Sequence, residues 1–360
     1  MRVLIVNTSE KTGGAAAANR LMDALNNNGV KAKMLVRDKE TEDITVVSLP
    51  RSLRLQWNFL WERWCVFWHL HFSRQRLWEV DMATSGTDIT RLREFQEADV
   101  IHLSWINQGM LSLKNIRKII RSGKPVVWTM HDMWPITGIC HHAQDCTKYQ
   151  TQCHTCPLLY KGSKHDLSYQ VFLKKQKLYK KANITFVACS QWLEELARHS
   201  VLALGHSVTN IPNPINTNLF RPLNKTQVRK NLNLPTDKKL LLFSSMKITD
   251  PKKGIDYLVE ACKLIQQQHP DFCSSLGVVV VGKESQQYAD LFPFPIYCLS
   301  YVGNEKELVN IYNAVDLFVT PSLQENLPNT IVEAMSCGIP CVGFNIGGIP
   351  QMIDHLHNGY

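Results

Sequence analysis

Short, continuously apolar runs alternate with helix-period stretches along this 360-residue chain. In the first part the apolar runs lie at 2–7, 31–37, 98–104, 125–131, 184–189 and 208–211. The first, 2–7, is apolar and continuous, as a parallel strand covered by helices on either side must be. The alternation breaks at Ile211-Pro212-Asn213-Pro214-Ile215, where two prolines remove backbone donors. It then restarts, with strands expected at 240–245, 276–281, 296–302, 316–320 and 340–344 and helices at 255–268, 305–314 and 328–337. The pattern predicts an α/β chain with two doubly wound parallel sheets, residues 1–215 and residues 216–360, hinged near 212–222. Ligands of such sheets sit at the carboxyl ends of the strands. The natural site is then a cleft faced by both domains. The stretch after 344 lacks a closing strand and final helices, so the sequence reads as one cut short.

Apolar residues make up 44% of the chain and charged residues 20%, which excludes a disordered, collagen-like or mucin-like chain. No run of eighteen apolar residues is present, so a spanning helix is not expected. The start, 1–7, is too short for the apolar core of an export signal and reads as a first strand. Eleven cysteines, an odd number without an export signal, favour reduced thiols and a cytoplasmic location. The net charge of +9 is uneven. Residues 1–215 hold 28 Lys and Arg against 18 Asp and Glu, whereas residues 216–360 hold 12 against 13. The first domain is expected to meet something anionic.

The strongest motif runs from Thr320 to Gly338, a strand end, a polar loop and a helix. Pro328 suits the first turn and Gly338 the helix end. Free amides over 327–330 form an anion site suited to a diphosphate. Glu325, in the loop, can accept from sugar hydroxyls, and Glu333, about one turn into the helix, can reach a ribose. Taken alone, both glutamates are also ordinary surface acids of a helix start. The spacing Glu325-x7-Glu333, with Ala334-Met335-x-Cys337-Gly338-x-Pro340 and Gly347-Gly348-Ile349-Pro350, resembles the retaining glycosyltransferases of family 4, which have the GT-B fold of two Rossmann-like domains. The run Thr129-Met130-His131-Asp132-Met133-Trp134-Pro135-Ile136-Thr137-Gly138 is most similar to the colanic-acid and capsule-type bacterial members.

The resemblance implies roles residue by residue. Glu325 contacts the transferred sugar and Glu333 the nucleotide ribose, with Asn326 and Leu327 in the donor loop. A basic pair neutralises the donor diphosphate, here Lys247 and Lys253 of the run Met246-Lys247-Ile248-Thr249-Asp250-Pro251-Lys252-Lys253-Gly254. Lys247 stands where the family has arginine, which replaces a bidentate fork by a point charge. Gly13-Gly14, after the first strand, lets backbone approach donor and acceptor, with Gly14 the preferred contact; it is not a nicotinamide fingerprint. His131 lies by the transferred sugar, and Asp132 orients its ring or caps the next turn. The donor is a UDP- or GDP-sugar, and no metal or other cofactor is needed for catalysis. The acceptor is a saccharide, lipid-linked, of a surface polymer such as capsule or lipopolysaccharide. Rival readings are a nucleotide-sugar epimerase of the same fold and a non-catalytic nucleotide-sugar or membrane-binding scaffold.

Two further features stand outside that resemblance. Cys140, Cys146, Cys153 and Cys156, with His141, His142 and His154 nearby, fit either a structural zinc site or unligated cysteines bracing a loop. Trp57, Trp61, Trp64 and Trp68 recur on one face of a helix, thickened by Leu60, Phe67, Phe72 and Trp78 and flanked by Arg51, Arg54, Arg63, Arg74 and Arg76. This face either packs on the first domain's sheet or lies at an anionic membrane surface. Lys161, Lys164, Lys174, Lys175, Lys177, Lys180 and Lys181, with only Asp166 among them, form a second basic stretch, a solvated face or a further lipid contact. No zinc-finger helix, RNP-like strand or helix-turn-helix supports a nucleic acid partner.

Overall fold

The computed structural model describes residues 1–11, 14–180 and 182–360; Gly13 and Lys181, singled out above, lie outside them. The chain forms two compact units, Met1–Pro214 and Ile215–Tyr360.

The first unit runs β1 (Arg2–Val6), α1 (Ala15–Asn27), β2 (Lys31–Val36), β3 (Val46–Ser48), α2 (Leu53–His69), α3 (Arg93–Glu97), β4 (Val100–Leu103), α4 (Leu113–Arg121), β5 (Val126–Met130), α5 (Leu167–Tyr179), β6 (Ile184–Ala188), α6 (Gln191–His199) and β7 (Ser207–Asn210). Its parallel sheet has the order β3-β2-β1-β4-β5-β6-β7. The chain winds from β1 to one edge, returns, and winds from β4 to the other. The switch point therefore lies between β1 and β4. β1 shows why its sequence is apolar throughout. Leu4 and Val6 enter the main core on one face, and Val3 and Ile5 enter a second cluster with Ala18 and Met22 of α1 on the other. The short edge strand β3 has no expected counterpart, since three residues carry too little pattern.

The helix α2 is inverted. The reading in which its tryptophan face packs on the sheet is overturned, because Trp57, Trp61, Trp64 and Trp68 are 63%, 46%, 51% and 59% exposed. The buried side carries Asn58, Glu62, Arg63 and Val66. Glu62 accepts from the backbone amides of Met82, Ala83 and Thr84 at 2.8, 2.7 and 2.8 Å. Arg63, expected on the flank, is buried and donates to Asp81 at 2.8 Å and to the Leu77 carbonyl at 2.7 Å. Burial, and then the neighbouring Asp81 carboxylate, push the Glu62 carboxyl up. Asp81 is also buried, but Arg63 holds its carboxyl down. Among the described residues no helix is long and apolar enough to cross a membrane.

The second unit runs α7 (Lys225–Asn231), β8 (Lys239–Lys247), α8 (Ile255–Gln268), β9 (Leu276–Lys283), β10 (Ile296–Leu299), α9 (Glu305–Ala314), β11 (Leu317–Thr320), α10 (Asn329–Ser336) and β12 (Cys341–Gly343). Its parallel sheet, β10-β9-β8-β11-β12, is wound in the same sense, with the switch point between β8 and β11. The two doubly wound sheets expected from the alternation are present. In α10, Pro328 is the N-cap rather than the first helical residue. The helix ends in a Schellman motif. Gly338, at φ 78°, donates to Met335 at 2.9 Å, and Ile339 donates to Ala334 at 3.0 Å.

The Glu62 contacts predict the sensitivity of the first unit. Glu62→Ala strips the acceptor from the buried Met82 and Ala83 amides and from the partly buried Thr84 amide, so a loss of about 2–5 kcal/mol is expected by urea unfolding. Trp61→Ala, on the exposed side of the same helix, is expected to change stability by about 0.5 kcal/mol or less.

Candidate functional site

In the first unit the chemistry collects at the strand ends around the switch point. His131 directly follows β5, and its Nε2 lies 3.0 Å from the Oγ of Ser104, which directly follows β4. On the other side, Nδ1 lies 3.5 Å from Cys189 Sγ at the end of β6. Helix α1 begins on Gly14, at φ 78°, and a Cβ there would come 2.7 Å from His131 Cδ2. Only glycine lets the helix start approach the imidazole so closely. Burial pulls His131 down to about 4, against the opposing pull of Asp132, so the ring is neutral at neutral pH. One nitrogen then donates and the other accepts. His102 stands behind, its Nε2 2.7 Å from Thr129 Oγ1 and its buried Nδ1 without a hydrogen-bond partner. Both histidines line a groove of about 300 Å³ against Ala18 and Leu21 of α1. Ser104 and Cys189 were not singled out from the sequence, although each is the polar residue that closes an apolar run.

Asp132 does not orient His131. Its Oδ1 accepts from the Trp134 amide at 2.8 Å, capping the short turn Trp134–Ile136. Its Oδ2 accepts from Trp105 Nε1 at 2.9 Å and lies 2.7 Å from His141 Nδ1. Burial disfavours both charges, yet the pair outweighs it. Asp132 is held down to about 2, and His141 is raised.

The four cysteines expected as a zinc site or a loop brace lie near one another, as the raising effect of each on its neighbours shows. Among the described residues no three His, Cys, Asp or Glu side chains come together as a metal-holding set. Cys140, Cys146 and Cys156 pack against the main core and Cys153 lies within it. Burial pushes the Cys140 and Cys153 thiols up to about 12, with their neighbouring cysteines adding to it. Lys175, placed in a solvated basic stretch from sequence, is fully buried. It donates to the Trp134 and Thr137 carbonyls at 2.5 and 3.1 Å, and burial pulls it down to about 7.

In the second unit, two loops meet at the switch point between β8 and β11. Gly254, at φ 71°, is the N-cap of α8, and a Cβ there would come 2.0 Å from the Pro321 carbonyl oxygen. Leu323 donates its amide to the Lys252 carbonyl at 2.8 Å. This docking brings the Lys253 ammonium into an ion pair with Glu325. Gly347 presses on the Glu325 carbonyl, and Gly348 donates to the Asn326 carbonyl at 2.7 Å, so the acid loop is held from both sides. Asn326, Leu327 and Glu333 are buried, and Glu333 accepts from the Tyr312 hydroxyl at 2.9 Å. Lys247, the last residue of β8, turns to Glu284 at 3.7 Å in an exposed pair instead of joining Lys253 and Glu325. Glu284 and Tyr312 carried no motif that would have marked them.

A lysine and a carboxylate converging beside a helix start, at a switch point, suit a charged, hydroxylated ligand. Residues 237–360 match the glycosyl transferases group 1 family. The group 1 segment thus contains Lys247, Lys253, Glu325 and Glu333. D-inositol 3-phosphate glycosyltransferase of Thermobispora bispora is 30% identical over 163 residues, 42% of this chain and 38% of that protein. WcaC of Escherichia coli K12, named for colanic acid biosynthesis, is 21% identical over 254 residues, 68% of this chain and 58% of that protein. The chain therefore spans less than two thirds of the length of these relatives. The solved structure of Anabaena Alr3699/HepE in complex with UDP-glucose is similar at a TM-score of 0.61 and 18% identity, covering 100% of this chain and 85% of that one. At that identity the likeness is one of fold, and the fold is GT-B.

The buried pair and the docked loops set two expectations for stability. The raised His141 contributes stability below its ordinary value of about 6.5, which is lost as pH rises through the raised value. The depressed Asp132 contributes above about 3.9, which is lost as pH falls through about 2. The pair therefore stabilises most between about pH 4 and 6.5, and urea unfolding across pH is expected to lose its alkaline slope in His141→Asn. Gly254→Ala must both hold a strained φ and displace the Pro321 carbonyl, so a loss of more than about 2 kcal/mol from the second unit is expected in calorimetric unfolding.

Proposed function

We propose that this chain is a retaining family 4 glycosyltransferase that moves a sugar from a UDP- or GDP-sugar to a saccharide acceptor in bacterial surface polysaccharide biosynthesis. The Lys253–Glu325 pair at the switch point of the group 1 segment carries this reading. The UDP-glucose bound by the Anabaena protein supports the donor class, and the name of WcaC supports the polymer class. The acceptor is assigned as lipid-linked, with the first domain on the acceptor side and the protein peripheral to the cytoplasmic membrane.

The chemistry asked of these residues is electrostatic. As the bond from the anomeric carbon to the diphosphate breaks, negative charge grows on the departing phosphate oxygen. Lys253 and the positive dipole end of α10 take up that charge, with Lys247 adding a second cation once it leaves its exposed, weakly held partner. Glu333, fixed by Tyr312, offers an acceptor to the ribose hydroxyls. Glu325 holds hydroxyls of the transferred sugar, with the Asn326–Leu327 turn as the wall of its pocket. Gly14 gives backbone access, and His131, neutral, positions the sugar by hydrogen bonding rather than by charge.

Calorimetric titration of UDP and GDP into the chain tests the reading. One nucleotide is expected to bind saturably, about 10–100-fold more weakly in Lys253→Ala and in Glu333→Ala, the range for loss of a charge-assisted hydrogen bond. Absence of binding by either nucleotide, or binding indifferent to both substitutions, would sink it.

A further inference from the structure

We propose that the outward face of α2 is a docking surface for an anionic lipid bilayer. The orientation of this helix is settled by its polar side. Glu62 and Arg63 are held inside by backbone amides, a carbonyl and Asp81, so the indoles on the opposite side face water. These rings rest on one another instead of on the domain. Trp57 stacks on Trp61 at 6.5 Å, and Trp68 meets Phe72 edge-on at 5.3 Å. Seventeen residues of helix make a ridge of about 25 Å. That is a large apolar surface for a chain to leave in water without a partner.

The charge around the ridge selects the partner. Arg51 and Arg54 at its start, and Arg74 and Arg76 just past its end, are exposed. Glu62 is the only acid in residues 51–78, and it is buried. A second cationic element is fastened to the same end. Arg76 donates to the Pro157 carbonyl at 2.5 Å, and His71 packs on Tyr160 at 4.3 Å, which brings exposed Lys161 and Lys164 alongside. Indoles flanked by cations, with no exposed acid among them, match the headgroup level of an anionic bilayer, where tryptophan sits between apolar and wet layers and each Lys or Arg adds attraction. On the ridge itself a protein partner would find indoles and cations and no exposed acid; the acids Asp38, Glu40 and Glu42 lie in the groove beside its start. Beside the first turns of the helix a groove of about 1120 Å³ opens at the carboxyl ends of β2 and β3, of mixed charge, with Arg37, Lys39 and Arg51 against Asp38, Glu40 and Glu42. A polar group carried on a lipid would meet that groove from the docked surface. Only this last step rests on the transferase reading.

Flotation of the full chain with vesicles tests the surface, comparing mixed phosphatidylglycerol and phosphatidylcholine with phosphatidylcholine alone. The chain is expected to float with the anionic vesicles, to shift its tryptophan emission to the blue, and to detach as salt rises. Arg51→Glu with Arg54→Glu should weaken binding by about fivefold or more per charge. Trp57→Ser with Trp61→Ser and Trp64→Ser should abolish it while thermal unfolding stays unchanged, since all three rings are exposed. A folded wild-type chain that ignores anionic vesicles overturns the proposal. So does undiminished binding by the tryptophan variant, or a concentration-dependent dimer that the same variant abolishes in a chain without vesicle binding. Titration of UDP and GDP into the same samples reports separately on the donor site, so the two readings fail by different measurements.

Discussion

In both sheets the first strand lies between two strands that leave it in opposite directions, β1 between β2 and β4, and β8 between β9 and β11. Connections beside such a strand must part at its carboxyl end, and the gap they leave cannot be filled by either crossover helix. Each domain treats the gap in a similar way. The helix after the first strand starts on a glycine in the left-handed region, Gly14 at φ 78° and Gly254 at φ 71°. Each glycine lies where any side chain would strike its neighbour, the His131 ring in one case and the Pro321 carbonyl in the other. Close approach of backbone at the switch point therefore comes from strand order, and the chemistry-bearing side chains are those that strand ends deliver there.

The two gaps differ in electrostatics. In the second domain Lys253 and Glu325 meet at partly exposed positions, where a ligand can exchange for either partner at small cost. In the first domain, His131 and His102 are both held neutral by burial near 4. The charged pair nearby, Asp132 and His141, is turned away to brace Trp105 and the turn Trp134–Ile136. One gap is thus equipped to balance charge and the other to hydrogen-bond without it.

Much of this was legible in the residues. Continuous apolar runs such as 2–7 and 276–281 mark strands because both faces of a parallel sheet are covered. The glycine and proline pattern from Lys253-Gly254 to Gly347-Gly348 marks loops whose backbones touch. Other features had no such signal. The edge strand β3 is three residues long. Ser104 and Cys189 reach His131 only through the register of three strands. The cysteines at 140, 146, 153 and 156 have a spacing compatible with metal, but that spacing does not show that they pack in and against the main core. Lys175 looked like one of a run of surface lysines because its partners, the Trp134 and Thr137 carbonyls, lie some forty residues away in a turn that has no pattern of its own.

Helix α2 shows most directly why periodicity alone falls short. A spacing of i, i+4, i+7, i+11 states that four tryptophans share a face; it does not state which face is inside. Apolar burial would favour turning the indoles inward, at about 1.5–3 kcal/mol for each large side chain covered. Against that stands a carboxylate with three backbone amides already directed at it, and an arginine with an aspartate and a carbonyl. Turning the helix over would leave the Met82 and Ala83 amides buried and unpaired at about 1–3 kcal/mol each, and would strand Asp81 as an uncompensated buried charge at about 3–5 kcal/mol more. The two sums are comparable in size. The stretch 82–84, which supplies three amides to one side chain, therefore offsets the apolar drive that would turn over a helix twenty residues earlier.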